Sequence, residues 1–449
     1  MHSFRKTGGV VAALALAAAP LSFALPSSAY AVTVASAAAA PAAQYQSVAD
    51  FYKARKDAPL WFSANAGDSA QELVKLLRTA NIDGLNPNRY FSLELQAALG
   101  KARDGKRKDV LRADEMLSQA FAAYVEDLRT DPGVGLTWVD PDLKPKQPTP
   151  QAALLEAAAA PSLSDYVTGM GWMHPIYGEL REAIADHKYS DDHQREILQL
   201  NLTRARILPA GKQRYLLVNA AQQRLFMYQD RKAVDSMVVV VGKTKYPTPM
   251  MAAEITYAAL NPYWYVPSDL AWDDVGQWVE KYGFSYFERM GYQQVSDWSR
   301  NPQILDATKI DWDAVRDGKT QILLRQKPGP ENFMGRIKFM FPNQFGVYLH
   351  DNPRRELFEK SERYFSGGCV RLEDAWRLSK WLFHRDLTWQ GAGTEEPVML
   401  DQPVPVYITY MTAMPDGGAI AYYDDAYGRD KAKVADTGGN SGRDSVASR

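Results

Sequence analysis

The hydrophobic period of this chain changes once, near Arg214, and that change limits what it can fold into. Upstream, apolar residues recur at helical spacing; downstream they come in short β-branched and aromatic runs divided by polar turns. In the first half, Ser69 stands where it would cap a helix whose Leu73, Leu76 and Leu77 share one face, stopped by Asn81 and Gly84. A longer helix is expected over 110–128, with Leu111, Met116, Phe121, Tyr124 and Val125 on its buried side. Pro141, Pro145, Pro148 and Pro150 then break the chain before an alanine-rich helix and helical runs near 174–187 and 191–206. In the second half, strands are expected at 215–218, 224–228, 234–241, 254–260, 321–325, 337–341, 345–350, 404–410 and 419–423. A helix over 372–384 would follow. The fold class is therefore α+β: a mainly helical part, then a β-rich domain interrupted by an aromatic, partly helical insertion over 270–318.

The two ends read differently from the middle. Arg5 and Lys6 precede an apolar run, and Ala29-Tyr30-Ala31 supplies a small-x-small cleavage pattern, so residues 1–31 are expected to be an export signal. Residues 32–46, rich in alanine with Ser, Thr and Pro, suit a flexible leader, and 431–449 a polar, disordered tail. Hydrophobic residues make up 46% of 449, enough for a large core and, on size, two domains. Without Arg5 and Lys6 the mature chain carries 50 basic against 53 acidic residues, so nothing points to nucleic acid as a partner. The six histidines form no His-Glu-x-x-His run and there is no cysteine pair, so neither a metal nor a cofactor is expected.

The single cysteine, Cys369, follows Gly367 and Gly368. A lone cysteine is most often a buried structural residue, but His350 stands upstream at the end of a strand-like run, which makes the two a candidate nucleophile and base. The glycines allow a tight turn whose N–H groups could hold an oxyanion. The expected helix after Arg371 would place its N-terminus near the sulfur and favour the thiolate. Arg371 is a candidate for gripping a substrate carboxylate through two hydrogen bonds, and Tyr348 shares a strand face with His350.

The run Ser366-Gly367-Gly368-Cys369-Val370-Arg371, with His350 ahead of it, resembles the signature of the L,D-transpeptidase family, whose YkuD-type domain has a histidine and then Ser-His-Gly-Cys-Val/Ile-Arg/Asn. Gly367 departs from it, standing where the family has its second histidine. Two further stretches, 325–332 and 335–343, resemble the approach to the active site in long, Gram-negative-type members. The helical half resembles their scaffold, and the insertion resembles their capping subdomain. The resemblance implies a helical scaffold over 47–206 and a catalytic domain over 207–430, with Cys369, His350 and Gly368 catalytic and Arg371, Tyr348, Ser366 and Gly367 contacting substrate. It implies a thioester formed at the L-centre of diaminopimelate, position three of a peptidoglycan stem tetrapeptide, with loss of D-alanine. Transfer to an amine of a neighbouring stem then gives a cross-link, most simply of the 3-3 type. It further implies acylation by carbapenems and work in the periplasm. Two alternatives stay open: hydrolysis on the same fold, as an L,D-carboxypeptidase or cross-link hydrolase, and a non-catalytic peptidoglycan-binding protein.

Overall fold

The computed structural model describes residues 47–299, 301–388 and 395–430. The expected export signal, leader and polar tail lie outside the described residues. The first half is helical, built around the 22-residue helix Arg107–Leu128, which buries Leu117, Phe121, Tyr124, Val125 and Leu128 at the spacing that keeps one face inward. Two of its buried carboxylates are well paired. The buried Asp83 carboxylate accepts from Tyr124 Oη and Tyr177 Oη, both at 2.6 Å, and from Arg181 Nε at 2.9 Å. Asp114 accepts the backbone N–H groups of Leu60 and Trp61 at 2.8 and 2.7 Å. One expectation is corrected: Ser69 lies inside the helix Ser69–Arg78, buried, with Asp68 at the cap position.

The second half contains eight strands that close on themselves. They are β1 (Tyr215–Asn219), β2 (Arg224–Gln229), β3 (Lys232–Gly242), β4 (Met251–Leu260), β5 (Ile337–Met340), β6 (Leu349–His350), β7 (Val370–Leu372) and β8 (Glu396–Thr409). Around the ring the order is β1-β2-β3-β7-β6-β5-β4-β8, and β8 returns to β1 in parallel, Val406 opposite Leu216. Closure leaves no open edge among these eight. Only β6–β7 and β8–β1 are parallel pairs. The first of them sets Leu349 beside Val370 and His350 beside Arg371.

The helical half is joined to this barrel by a continuous hydrophobic core. A short strand, Thr137–Trp138, adds in parallel to β4, and His174 at the head of helix Pro175–Ala185 meets Tyr215 of β1 at 2.5 Å.

The helix expected over 372–384 is shorter than its pattern implied. It runs Ala375–Phe383, capped by Asp374, whose carboxylate accepts from Arg377 N at 2.9 Å. The missing turn is β7, because Arg371 and Leu372 pair with Val240 and Val239. Tertiary pairing has overridden local helical periodicity there, so Cys369 precedes a strand and has no adjoining helix N-terminus.

The insertion is wider than 270–318. Trp264–Val266 pairs with Leu324–Gln326, which pairs with Tyr292–Val295 and through it Ile304–Leu305, a separate four-stranded sheet. It has its own hydrophobic core, in which Tyr286, Phe287 and Tyr292 are buried while Trp272, Trp278, Phe284 and Trp312 pack against it. Most of the aromatic residues therefore fill a satellite core; Tyr282 and Trp298 stay 51% and 46% exposed.

Candidate active site

Four hydrogen bonds shape the turn that carries the thiol. Ser366 Oγ donates to Cys369 O at 2.5 Å and accepts from Gly368 N at 3.1 Å, so the buried hydroxyl is spent inside the turn. Lys243 N donates to Ser366 O at 2.9 Å, and Thr248 Oγ1 donates to Gly368 O at 2.8 Å. Gly368 sits at φ +117°, outside what an L side chain readily adopts, so the turn requires glycine there. Its N–H is held by Ser366 and is not directed at an incoming oxyanion. Ser366 thus positions the turn.

Cys369 is partly exposed to the cleft, and its thiol donates to Gly346 O at 3.6 Å. Desolvation pushes the thiol above the ordinary cysteine value; the Tyr348 backbone N–H and the charges of Arg371 and Lys338 pull the other way, and Asp274 adds to the rise. At rest Cys369 is therefore a thiol, and a reaction at its sulfur would need a base.

His350 is fully buried at the end of β6. Its Nδ1 lies 2.6 Å from Asp351 O. A carbonyl only accepts, so Nδ1 carries the hydrogen and Nε2 keeps its lone pair. Nε2 is buried with no hydrogen-bond partner among the described residues. Burial first, then the nearby Arg371 charge, lowers the imidazole pKa to about 3, so the ring is neutral at physiological pH. The orienting group, unnamed by sequence reasoning, is thus the Asp351 carbonyl. Asp351 is itself fixed: its carboxylate accepts from Arg336 N at 2.9 Å and Arg355 at 2.8 Å.

One cavity of about 150 Å³ brings together Tyr348, His350, Ser366, Gly367, Cys369 and Arg371. Tyr348 O also accepts from Val370 N at 3.0 Å, tying the strand of His350 to the strand that follows Cys369. Among the further residues on the cavity wall, which sequence reasoning did not place there, are Leu270, Asp269, Asp274 and Lys338. Lys338 was findable, since it faces His350 across β5–β6 in a run already singled out. Its Nζ pairs with Glu395 at 2.9 Å and lies 5.8 Å from the centre of the Tyr348 ring.

Leu270 and Asp274 come from the insertion, and only the fold places them. A Cβ built on Gly367 would sit 2.5 Å from Leu270 Cδ1, so the insertion occupies the space that a side chain at this position would need. Two charged contacts hold the insertion to the barrel beside this point, Asp273 with Lys245 at 2.6 Å and Asp274 with Lys243 at 3.6 Å. Tyr246 Oη adds a hydrogen bond to Asp273 at 2.9 Å.

Comparison with known proteins identifies the domain that carries this site. Residues 213–408 match the L,D-transpeptidase catalytic domain (YkuD), and residues 46–184 match a scaffold domain. The chain thus carries an L,D-transpeptidase catalytic domain preceded by a scaffold domain. A Haemophilus influenzae protein, whose name assigns it provisionally to the L,D-transpeptidases, is 26% identical over 409 residues, spanning 86% of this chain and 78% of its own. Among solved structures, the Ldtfm-avibactam carbamoyl enzyme is similar at 13% identity and TM-score 0.21, over 49% of this chain and 63% of that one. The catalytic domain of the E. faecium L,D-transpeptidase is similar at 14% identity and TM-score 0.20, over 44% and 97% respectively. Among the described residues no cluster of side chains is suited to hold a metal ion, and no helix is long and apolar enough to cross a membrane.

Proposed function

We propose that the protein is a peptidoglycan L,D-transpeptidase acting in the periplasm, with Cys369 as nucleophile and His350 as base. One observation carries the reading: a thiol and a buried imidazole with an unpartnered, deprotonated Nε2 share a single cleft. His350 Nε2 takes the thiol proton as Sγ attacks the carbonyl carbon of the third stem residue. The amide C–N bond breaks, the departing D-alanine amine takes that proton from His350, and a thioester remains on Cys369. An amine of a neighbouring stem then attacks the thioester, forming the cross-link and returning a proton to sulfur through His350. Arg371 and the Tyr348 ring contact the donor, the Ser366-Gly367-Gly368 turn holds the sulfur in line, and the insertion closes over the thioester to keep water out. Carbapenems acylate the same sulfur.

Intact-mass measurement after incubation with a disaccharide-tetrapeptide tests this. The wild-type chain is expected to gain a disaccharide-tripeptide adduct with loss of D-alanine and to release cross-linked product. Cys369→Ala is expected to give neither, with its fold intact. Cross-linking, or a carbapenem adduct, by the alanine variant would overturn the assignment.

A further inference from the structure

The turn that carries Cys369 is braced from behind by a buried hydroxyl. Thr248 is fully buried, and its Oγ1 accepts from Gly242 N at 2.9 Å. A hydroxyl has one hydrogen and Gly242 N can only donate, so that hydrogen goes to Gly368 O, 2.8 Å away. The Gly368–Cys369 peptide is trans and planar, so its N–H points opposite to its C=O. With the carbonyl aimed at buried Thr248, the Cys369 N–H is turned away from the interior, and it has no hydrogen-bond partner among the described residues. Cys369 lines the cleft, whereas Thr248 does not.

Thr248 is in turn held by residues 427–430. Tyr427 Oη donates to Gly242 O at 2.6 Å and accepts from Thr248 N at 3.4 Å, closing the neck of the loop 242–248. Arg429 Nη2 donates to Thr248 O at 2.9 Å, and its guanidinium lies over the Tyr427 ring at 5.0 Å. That ring stacks on Tyr410 at 5.2 Å. Asp430 is anchored by a buried ion pair at 2.6 Å with Arg204, on the helix Asp192–Ala205, and it accepts from Thr412 Oγ1 at 2.6 Å. Bonded and packed groups therefore run unbroken from the helical half to the peptide group that bears the Cys369 N–H.

We infer that Thr248 is a positioning residue for the reaction at Cys369, and that Tyr427 and Arg429 keep it in place. Its hydroxyl locks the Gly368–Cys369 peptide plane, so that the Cys369 N–H meets the carbonyl oxygen on which negative charge develops when the sulfur attacks. Thr248, Tyr427 and Arg429 do not touch the substrate themselves. This rests on the cysteine acyl-enzyme reading above and gives residues 427–430, which lie outside the cleft, a share in the rate.

The test uses the full chain and two reactions of the same sulfur. Acylation by a stem tetrapeptide develops an oxyanion, whereas alkylation by iodoacetamide displaces iodide at a saturated carbon and develops none. Thr248→Val removes the hydroxyl at nearly constant volume. It is expected to lower the second-order acylation rate about a hundredfold while alkylation stays within about twofold of wild type. Thr248→Ser restores the hydroxyl and should recover most of the acylation rate. Tyr427→Phe, which keeps its ring on Tyr410, should lower acylation about tenfold with alkylation unchanged, and it carries the test if Thr248→Val does not fold. Acylation and alkylation falling together would make Thr248 a purely structural residue and overturn the inference. So would wild-type acylation in Thr248→Val or in Tyr427→Phe, or a serine variant no faster than the valine one. A wild-type chain that is alkylated but never acylated would sink the cysteine acyl-enzyme reading itself.

Discussion

Two buried histidines are held in opposite tautomers, and each hydrogen bond that fixes them is backbone-borne. In His174, Nδ1 accepts from Ile176 N at 3.1 Å, so the hydrogen is on Nε2; in His350, Nδ1 donates to Asp351 O, so Nε2 is bare. The first histidine caps a helix and the second shares a cleft with a thiol, so only the second is placed to serve as the proposed base. The orientation of His350 depends in turn on a glycine. Gly335 has φ +65°, and a Cβ there would collide with the Asp351 carboxylate, whose own backbone carbonyl steers the imidazole. Gly335→Ala is therefore expected to lower the acylation rate by roughly ten- to a hundredfold, the scale of an ångström-sized misplacement of a catalytic group. Titration of Cys369 by a small thiol reagent should remain complete. Wild-type acylation kinetics in that variant would show that Asp351 does not set the base.

At the scale of elements, the insertion docks by its own residues, Leu270 against Gly367 and Asp273 against Lys245 and Tyr246. Replacing residues 267–323 by a short glycine-rich loop leaves Trp264–Val266 and Leu324–Gln326 able to pair. Such an enzyme is expected to keep small-reagent labelling of Cys369, lose cross-linking, and raise the hydrolysed share of product, scored by chromatography of the muropeptides. An unchanged ratio of cross-linked to hydrolysed product would end the lid proposal. How much of this was legible in the sequence depended on distance along the chain. Cys369, His350 and Arg371 were legible because their chemistry lies in two short runs, and the change of period at Arg214 marked off the barrel. Asp351's carbonyl was not, since backbone groups leave no trace in residue identity. Nor were Leu270 and Asp274, which reach the cleft only after the insertion folds on a core of its own. The helix expected to start at 372 failed for the same kind of reason: Leu372 reads as helix locally but is claimed, with Arg371, by pairing to β3.

The whole molecule joins its helical half to the barrel through one continuous core, so both are expected to unfold in a single transition that exposes His174 and His350 together. Each imidazole has its pKa lowered from 6.5 to about 3, by burial first and then by neighbouring cations, Arg231 and Arg129 for His174 and Arg371 and Lys338 for His350. The sign follows from proton binding. Between pH 6.5 and about 3 the unfolded chain binds protons that the folded chain refuses, so each histidine's contribution is complete above pH 6.5 and is lost as pH falls through that window. Buried carboxyls oppose it. Asp114, Glu156 and Asp274 have values raised by burial, so they favour the folded state as they protonate, and the net slope of the wild type is a difference. Comparing variants removes that background. In His174→Gln the unfolding free energy should depend less on pH between 5.5 and 4 by close to one proton, about 1.4 kcal/mol per pH unit. The variant is also expected to be less stable at pH 7, because the bond to Tyr215 is disturbed, but the slope and not the height is the readout. Denaturant melts at half-unit steps of pH measure it. A slope identical to wild type would mean that His174 is not kept neutral in the fold, and two separate transitions would mean that the shared core does not couple the halves.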